Sequence, residues 1–142
     1  MEFTLKVTGG EAIELGHEYI SAAIYRTDTP DDSYARSTEV GSELRVSGRV
    51  MKTPQGGNAD ETRKLALWSL VPAGKEDCYR QVELDVVVSG AVVRKLVLPN
   101  AFVVDYSEDY GTNQGVGLFN LVVRQKKDKI AAVKIEGGYV AE

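Results

Sequence analysis

The chain has 142 residues, 43% hydrophobic and 27% charged, which suits one domain with a real core and argues against disorder. A formal charge of −4 and a single cysteine disfavour a basic nucleic-acid surface, exclude an intrachain disulfide and leave no cysteine cluster for zinc. No window approaches the ~18 apolar residues of a membrane span and no basic-then-apolar leader opens the chain, so synthesis in the cytoplasm without membrane insertion is expected.

Phe3, Leu5 and Val7 alternate with Glu2, Thr4 and Lys6, a period of two that predicts a strand over 1–8 with one buried face. Gly9-Gly10 permits a tight turn, and 11–15 reads as the return strand. The β-branched and aromatic residues of 17–26 predict a further strand. Residues 26–41, RTDTPDDSYARSTEVG, are polar and aperiodic and read as a long loop or extended arm. Alternation resumes over 42–51, with Leu44, Val46 and Val50 opposite Glu43, Arg45, Ser47 and Arg49.

Turn residues fill 53–59, and Asp60 stands as an N-cap for a helix running to Val71, where Pro72 stops it. Leu67, Leu70 and Val71 are spaced i, i+3, i+4 and predict the buried stripe, widened by Leu65 and Trp68. Leu65 and Trp68 are the expected core plug, and Cys78 is expected to pack as a small apolar side chain. Val82, Leu84, Val86 and Val88 alternate with acids, and Ser89-Gly90-Ala91 turns the chain into Val92–Leu98. Pro99-Asn100 interrupts that strand, marking an edge or a bulge, before Phe102–Tyr106. An acidic, glycine-rich connection leads to Leu118–Gln125, whose Phe119, Leu121 and Val123 form a wholly apolar face. Residues 130–135 read as one last strand. Seven to nine strands and one short helix at about 60–71 predict a mainly β fold, a small antiparallel barrel or sandwich-like barrel in a single domain over 1–142.

No catalytic constellation emerges. His17-Glu18-Tyr19-Ile20-Ser21 begins like the H-E-x-x-H zinc motif, but serine replaces the second ligand and His17 is the only histidine. No G-x-S-x-G elbow surrounds any serine, so a hydrolase triad lacks both its frame and a spare base. Asp31-Asp32 and Glu108-Asp109 are adjacent pairs whose members point apart on extended backbone, unlike the facing acids of a glycosidase. The glycines of 111–117 precede a strand and lack the lysine of a phosphate loop. Arg124, Lys126, Lys127 and Lys129 are a small basic cluster suited to guarding a strand end. Neither a metal nor a cofactor is expected.

The order of elements (strands, a polar arm, a strand, a helix ending in Trp-x-x-x-Pro, a hairpin and a closing strand) resembles the tail-tube proteins of contractile phage tails and related injection systems, including the Hcp tube protein of type VI secretion. The matching stretches are Leu65–Leu70, Val82–Val88, Leu96–Glu108 and Phe119–Arg124. The resemblance implies a non-enzymatic structural subunit that forms hexameric rings stacked into a hollow tube. It further implies sheath and baseplate or cap partners, DNA or effector protein as passing cargo, and residence in a phage-like particle or export with the injection machine. It implies that the arm at 26–41, through Arg26, Asp28, Asp31, Asp32, Tyr34 and Arg36, reaches the adjacent subunit or ring. A polar face with Glu43, Arg45, Glu83 and Asp85 is the expected lumen lining. The alternative is a monomeric or dimeric barrel binding a small ligand or peptide among Tyr19, Tyr25, Tyr79, Tyr106 and Tyr110.

Overall fold

The computed structural model describes residues 1–28, 41–50, 61–111 and 117–140. Nine strands form one sheet: β1 (Glu2–Thr8), β2 (Ile13–Leu15), β3 (Ile20–Asp28), β4 (Gly41–Val50), β5 (Arg80–Val88), β6 (Ala91–Tyr110), β7 (Gly117–Gln125), β8 (Lys134–Glu136) and β9 (Tyr139–Val140). The order is β2-β1-β5-β6-β7-β4-β3, every pair is antiparallel, and β8 and β9 pair with β6. One helix, α1 (Glu61–Ser69), lies against β2 and β6. This is the mainly β, antiparallel architecture expected from the alternation pattern. β1 also contacts β3, so the sheet curls until its two ends approach each other.

The curl comes from β6. At 20 residues it far exceeds the usual strand of about 5–6 residues, and it serves two partners in turn. Ala91–Ala101 pairs with β5, while Ala101–Tyr110 pairs with β7. Three register shifts each leave extra residue on β6, at Val93, at Pro99-Asn100 and at Val104. A bulge of this kind bends its strand and increases the local twist. The Pro-Asn step is therefore a bulge within one continuous strand, not a break between two. The bulges also explain two apolar side chains in solvent, Val93 at 39% and Val104 at 49% exposure, because an extra residue leaves the alternation of faces.

The concave side is the core. Leu5, Val7, Leu44, Val46, Val82, Leu98, Phe119, Leu121 and Val123 are all fully buried there. Gly48 is demanded by close approach: a Cβ at that position would meet the Tyr19 carbonyl at 2.0 Å and the Phe119 ring at 2.7 Å. The space is taken by a backbone bond from Arg49 N–H to that carbonyl at 2.7 Å.

Helix α1 plugs the core with Leu65 and Trp68, as expected, and Thr62 completes its buried face. The Trp68 indole N–H donates to the Cys78 carbonyl at 3.0 Å and the Arg80 guanidinium lies 5.4 Å from the ring. Cys78 is buried, again as expected. The predicted stripe of Leu67, Leu70 and Val71 is corrected: Leu67 is 43% and Leu70 75% exposed, and Val71 is only partly buried. Helical spacing allows either face, and the helix turned the one bearing the Trp inward because it removes more apolar area from water. Glu61 and Lys64 tie the helix to the edge strand β2. The Glu14 N–H donates to Glu61 at 3.0 Å, and Lys64 donates to the Ala12 carbonyl at 3.1 Å. Asp60, the expected N-cap, lies outside the described residues.

Two other expectations are corrected. The strand predicted over 17–26 begins only at Ile20 and runs on to Asp28. The last strand predicted over 130–135 is instead a kinked 3-10 segment, Lys127–Ala132, followed by the short β8. That segment buries none of its side chains, so no sheet face rewards an extended conformation there.

Candidate functional site

The second half of β6 with β7, β4 and β3 makes a four-stranded unit with distinct faces. Its inner face joins the core. Its outer face reads in rows from the register. Arg26, Glu43, Arg124 and Phe102 form one row; Ile24, Arg45, Val122 and Asp105 the next; Ala22, Ser47, Asn120 and Ser107 a third. Beyond them Arg49, Leu118 and Asp109 are level. The alternation seen in the sequence of β4 and β7 decides this, since every second side chain shares a face.

Glu43 is the organising group. Its side chain is 6% exposed, on the solvent face of the sheet, because arginines roof it. Arg45 Nε donates to Oε2 at 2.9 Å and Arg124 Nε to Oε1 at 3.1 Å, while Arg26 Nε stands 3.8 Å from Oε2. The hydrogen bond from Arg45, aided by Arg124, holds the Glu43 carboxyl below the usual range against the opposing effect of burial. The side chains of Arg26, Arg45 and Arg124 are 54%, 48% and 44% exposed. Each presents its Nε edge to Glu43, so one carboxylate sets three cations in place with a local excess of positive charge in a chain of net −4.

Beside this cluster lies a hollow of about 370 Å³ floored by Ser47, Asn120 and Val122 and flanked by Ile24, Arg45 and Asp105. Ser47 Oγ donates to Asn120 Oδ1 at 2.6 Å across its floor. Among the described residues no three His, Cys, Asp or Glu side chains are grouped to hold a metal.

Neither outer edge of the unit has a hydrogen-bonded partner strand among the described residues. Among the described residues β3 pairs only with β4, and β6 beyond Ala101 pairs only with β7. By contrast, β2 at the far end of the sheet is covered by Glu61 and Lys64.

The expected site residues divide. Arg26 and Asp28 belong to β3, and Asp28 pairs with Gly41 at the start of β4, so the arm expected over 26–41 is strand at both ends. Asp31, Asp32, Tyr34 and Arg36 lie outside the described residues. Glu108 and Asp109 point apart as expected: Glu108 accepts from Tyr106 and Tyr110 on one side, and Asp109 is exposed on the other. Glu83 and Asp85 lie on β5, separated from β4 by the two strands β6 and β7. Asp85 Oδ1 is buried without a partner among the described residues, and burial, then the nearby Glu83, pushes its carboxyl up. Tyr106 and Tyr110 meet at Glu108, but the expected tyrosines form no shared pocket among the described residues. Tyr25 accepts a hydrogen bond from Ser42 at 2.7 Å, Tyr79 packs edge-on to Phe102, and Tyr106 stacks on Phe119. No described hollow gathers more than one of them. His17 is 62% exposed beside Glu18. The burial of Glu43 is not legible in the sequence, because Arg26 and Arg124 reach it from two other strands.

No protein-family profile matches the sequence, and no curated protein does. Solved structures do. Hcp1 from Flavobacterium johnsoniae is 16% identical, with 100% of both chains covered and a TM-score of 0.59. A chain of the anti-feeding prophage baseplate is 15% identical over 96% of this chain and 93% of that one, TM-score 0.54. A chain of the PVC sheath-tube complex, an extracellular contractile injection system in its extended state, is 10% identical over 96% and 89%, TM-score 0.53. The chain therefore has the fold of Hcp1 and of these injection-system chains, and the likeness read from its element order holds at the level of the fold.

Proposed function

We propose that this chain is a structural, non-enzymatic subunit of a hollow tube. Copies close into rings of six, rings stack, and DNA or an effector protein passes through the bore. The observation that carries this reading is the agreement of fold along the whole of both chains with Hcp1. Fold alone does not assign function, but this one comes with a surface suited to assembly.

The open edges supply the physical argument. Along β3 and the second half of β6, the outer edge has no hydrogen-bonded partner strand among the described residues, and such an edge invites another strand. The unit between them has four strands alternating in direction, so its two edges run oppositely. Rotation about an axis near the strand direction then sets β3 of one copy antiparallel to β6 of the next, with the same face turned inward. A head-to-tail contact of this type closes into a ring, and contacts that do not close extend into a filament. We further propose that the stretch 29–40, which follows β3 in the sequence, reaches a neighbouring subunit or ring. A sheath and a baseplate or cap are the expected partners, by analogy with the assemblies in which chains of this fold occur.

The test is the mass of the purified protein by light scattering on a sizing column, with negative-stain images of the peak. Six-fold rings or tubes are expected. A strict monomer at every concentration would overturn self-assembly and favour a binding module instead.

A further inference from the structure

We infer that Arg26 is a gate on the open edge strand β3, one that admits a second copy of this chain through that copy's Asp105 and rejects edges without an acid at that level. The inference rests on the ring reading above and names the contact that closes the ring.

A charge on an open edge strand normally serves to keep other strands away. Arg26 has this placement: it lies on β3, is 54% exposed, and among the described residues its one ion-pair neighbour is Glu43, at 3.8 Å. Glu43 is already satisfied by closer bonds from Arg45 and Arg124. It orients Arg26 without neutralising it. Arg45, one strand further in, adds a second positive charge. An edge with this charge admits a strand only if the strand brings a carboxylate.

The chain carries that carboxylate on its other open edge. Asp105 is exposed on the outer face of β6 and has no partner among the described residues. It stands just past the Val104 bulge, and the rotation that sets β3 antiparallel to the next copy's β6 keeps Arg26 and Asp105 on one face. Within one copy Asp105 is level with Ile24, through Val122 and Arg45. A stagger of two residues brings it level with Arg26, and closing a sheet into a barrel requires such a stagger. Neighbouring strands lie about 4.8 Å apart, within reach of an Arg–Asp pair. At that register Asp109 falls beside Ala22, away from the arginines. A phosphate polyanion would find the same cations, but Asp105 and Asp109 on the same face disfavour it.

The experiment uses Arg26→Glu and Asp105→Arg in the full chain, each checked for wild-type circular dichroism. Each variant alone puts like charges together and is expected to weaken association by about tenfold or more. An equimolar mixture of the two is expected to recover wild-type mass, because every contact in an alternating ring then pairs opposite charges. Asp109→Arg is expected to associate normally. Wild-type association by both variants, failure of the mixture to recover, or an equal loss with Asp109→Arg would each overturn the pairing while leaving the tube reading intact. So would unchanged ring mass in Arg26→Glu with lost retention on heparin, which would make the cluster a polyanion site. A wild-type protein that never associates would overturn the reading and the inference together.

Discussion

Leu65 on α1 and Leu70 just past its C-terminal end give the sharpest test of how α1 is seated. Leu65 is fully buried and Leu70 is 75% exposed, although both belong to the apolar run of 65–71. Leu65→Ala removes three buried carbons and leaves a cavity beneath Trp68, a change that costs about 2–5 kcal/mol. Leu70→Ala removes side chain that water already covers, and is expected to stay within about 0.5 kcal/mol. For a domain of this size 1 kcal/mol moves Tm by about 4 °C, so Leu65→Ala is expected to melt roughly 8–20 °C lower. The assay is urea and thermal unfolding of dilute protein followed by circular dichroism, because self-association would make Tm depend on concentration. Equal losses at the two positions, or a larger loss at Leu70, would mean that the stripe of Leu67, Leu70 and Val71 faces the core and that the helix is rotated from its described seat.

Glu43→Gln is expected to destabilise the fold by about 1–3 kcal/mol, discounted because the arginines it serves are half in solvent. Since the Glu43 carboxyl is held low, its contribution is present above the ordinary carboxylate range and is lost as pH falls through its depressed folded value; acid titration of stability should show that loss in the wild type and not in the variant. Asp85 has the opposite sign. Burial raises its carboxyl, so ionisation works against folding and wild-type stability gains as pH falls from the folded value toward the ordinary one. Asp85→Asn should therefore raise Tm at pH 7, by a margin that disappears in acid, and a lower Tm at pH 7 would refute the point. Gly48→Ala forces a carbon into the Tyr19 carbonyl and the Phe119 ring and is expected to cost about 3 kcal/mol or more, read as a lowered urea midpoint.

The period-two stretches determined much of this protein by themselves. Leu5 and Val7, Leu44 and Val46, and Phe119, Leu121 and Val123 are all fully buried, because alternation fixes which side chains share a face whatever the strand's partner. Pro99 could be assigned to an edge or a bulge from its missing N–H alone, and Trp68 to the core from its size. Tertiary structure decided the rest. A helix with apolar residues at 65, 67, 68, 70 and 71 has two admissible faces, and only the opening it plugs chose between them. Residues 130–135 are apolar enough to read as a strand, yet they bury none of their side chains, and only Lys134 and Ile135 join β8. Glu43 reads as one more solvent-facing acid until β3 and β7 bring Arg26 and Arg124 beside it from 17 and 81 residues away. Alternation is local and the chain carries it. Partnership across a sheet depends on register, and register is settled only when the strands meet.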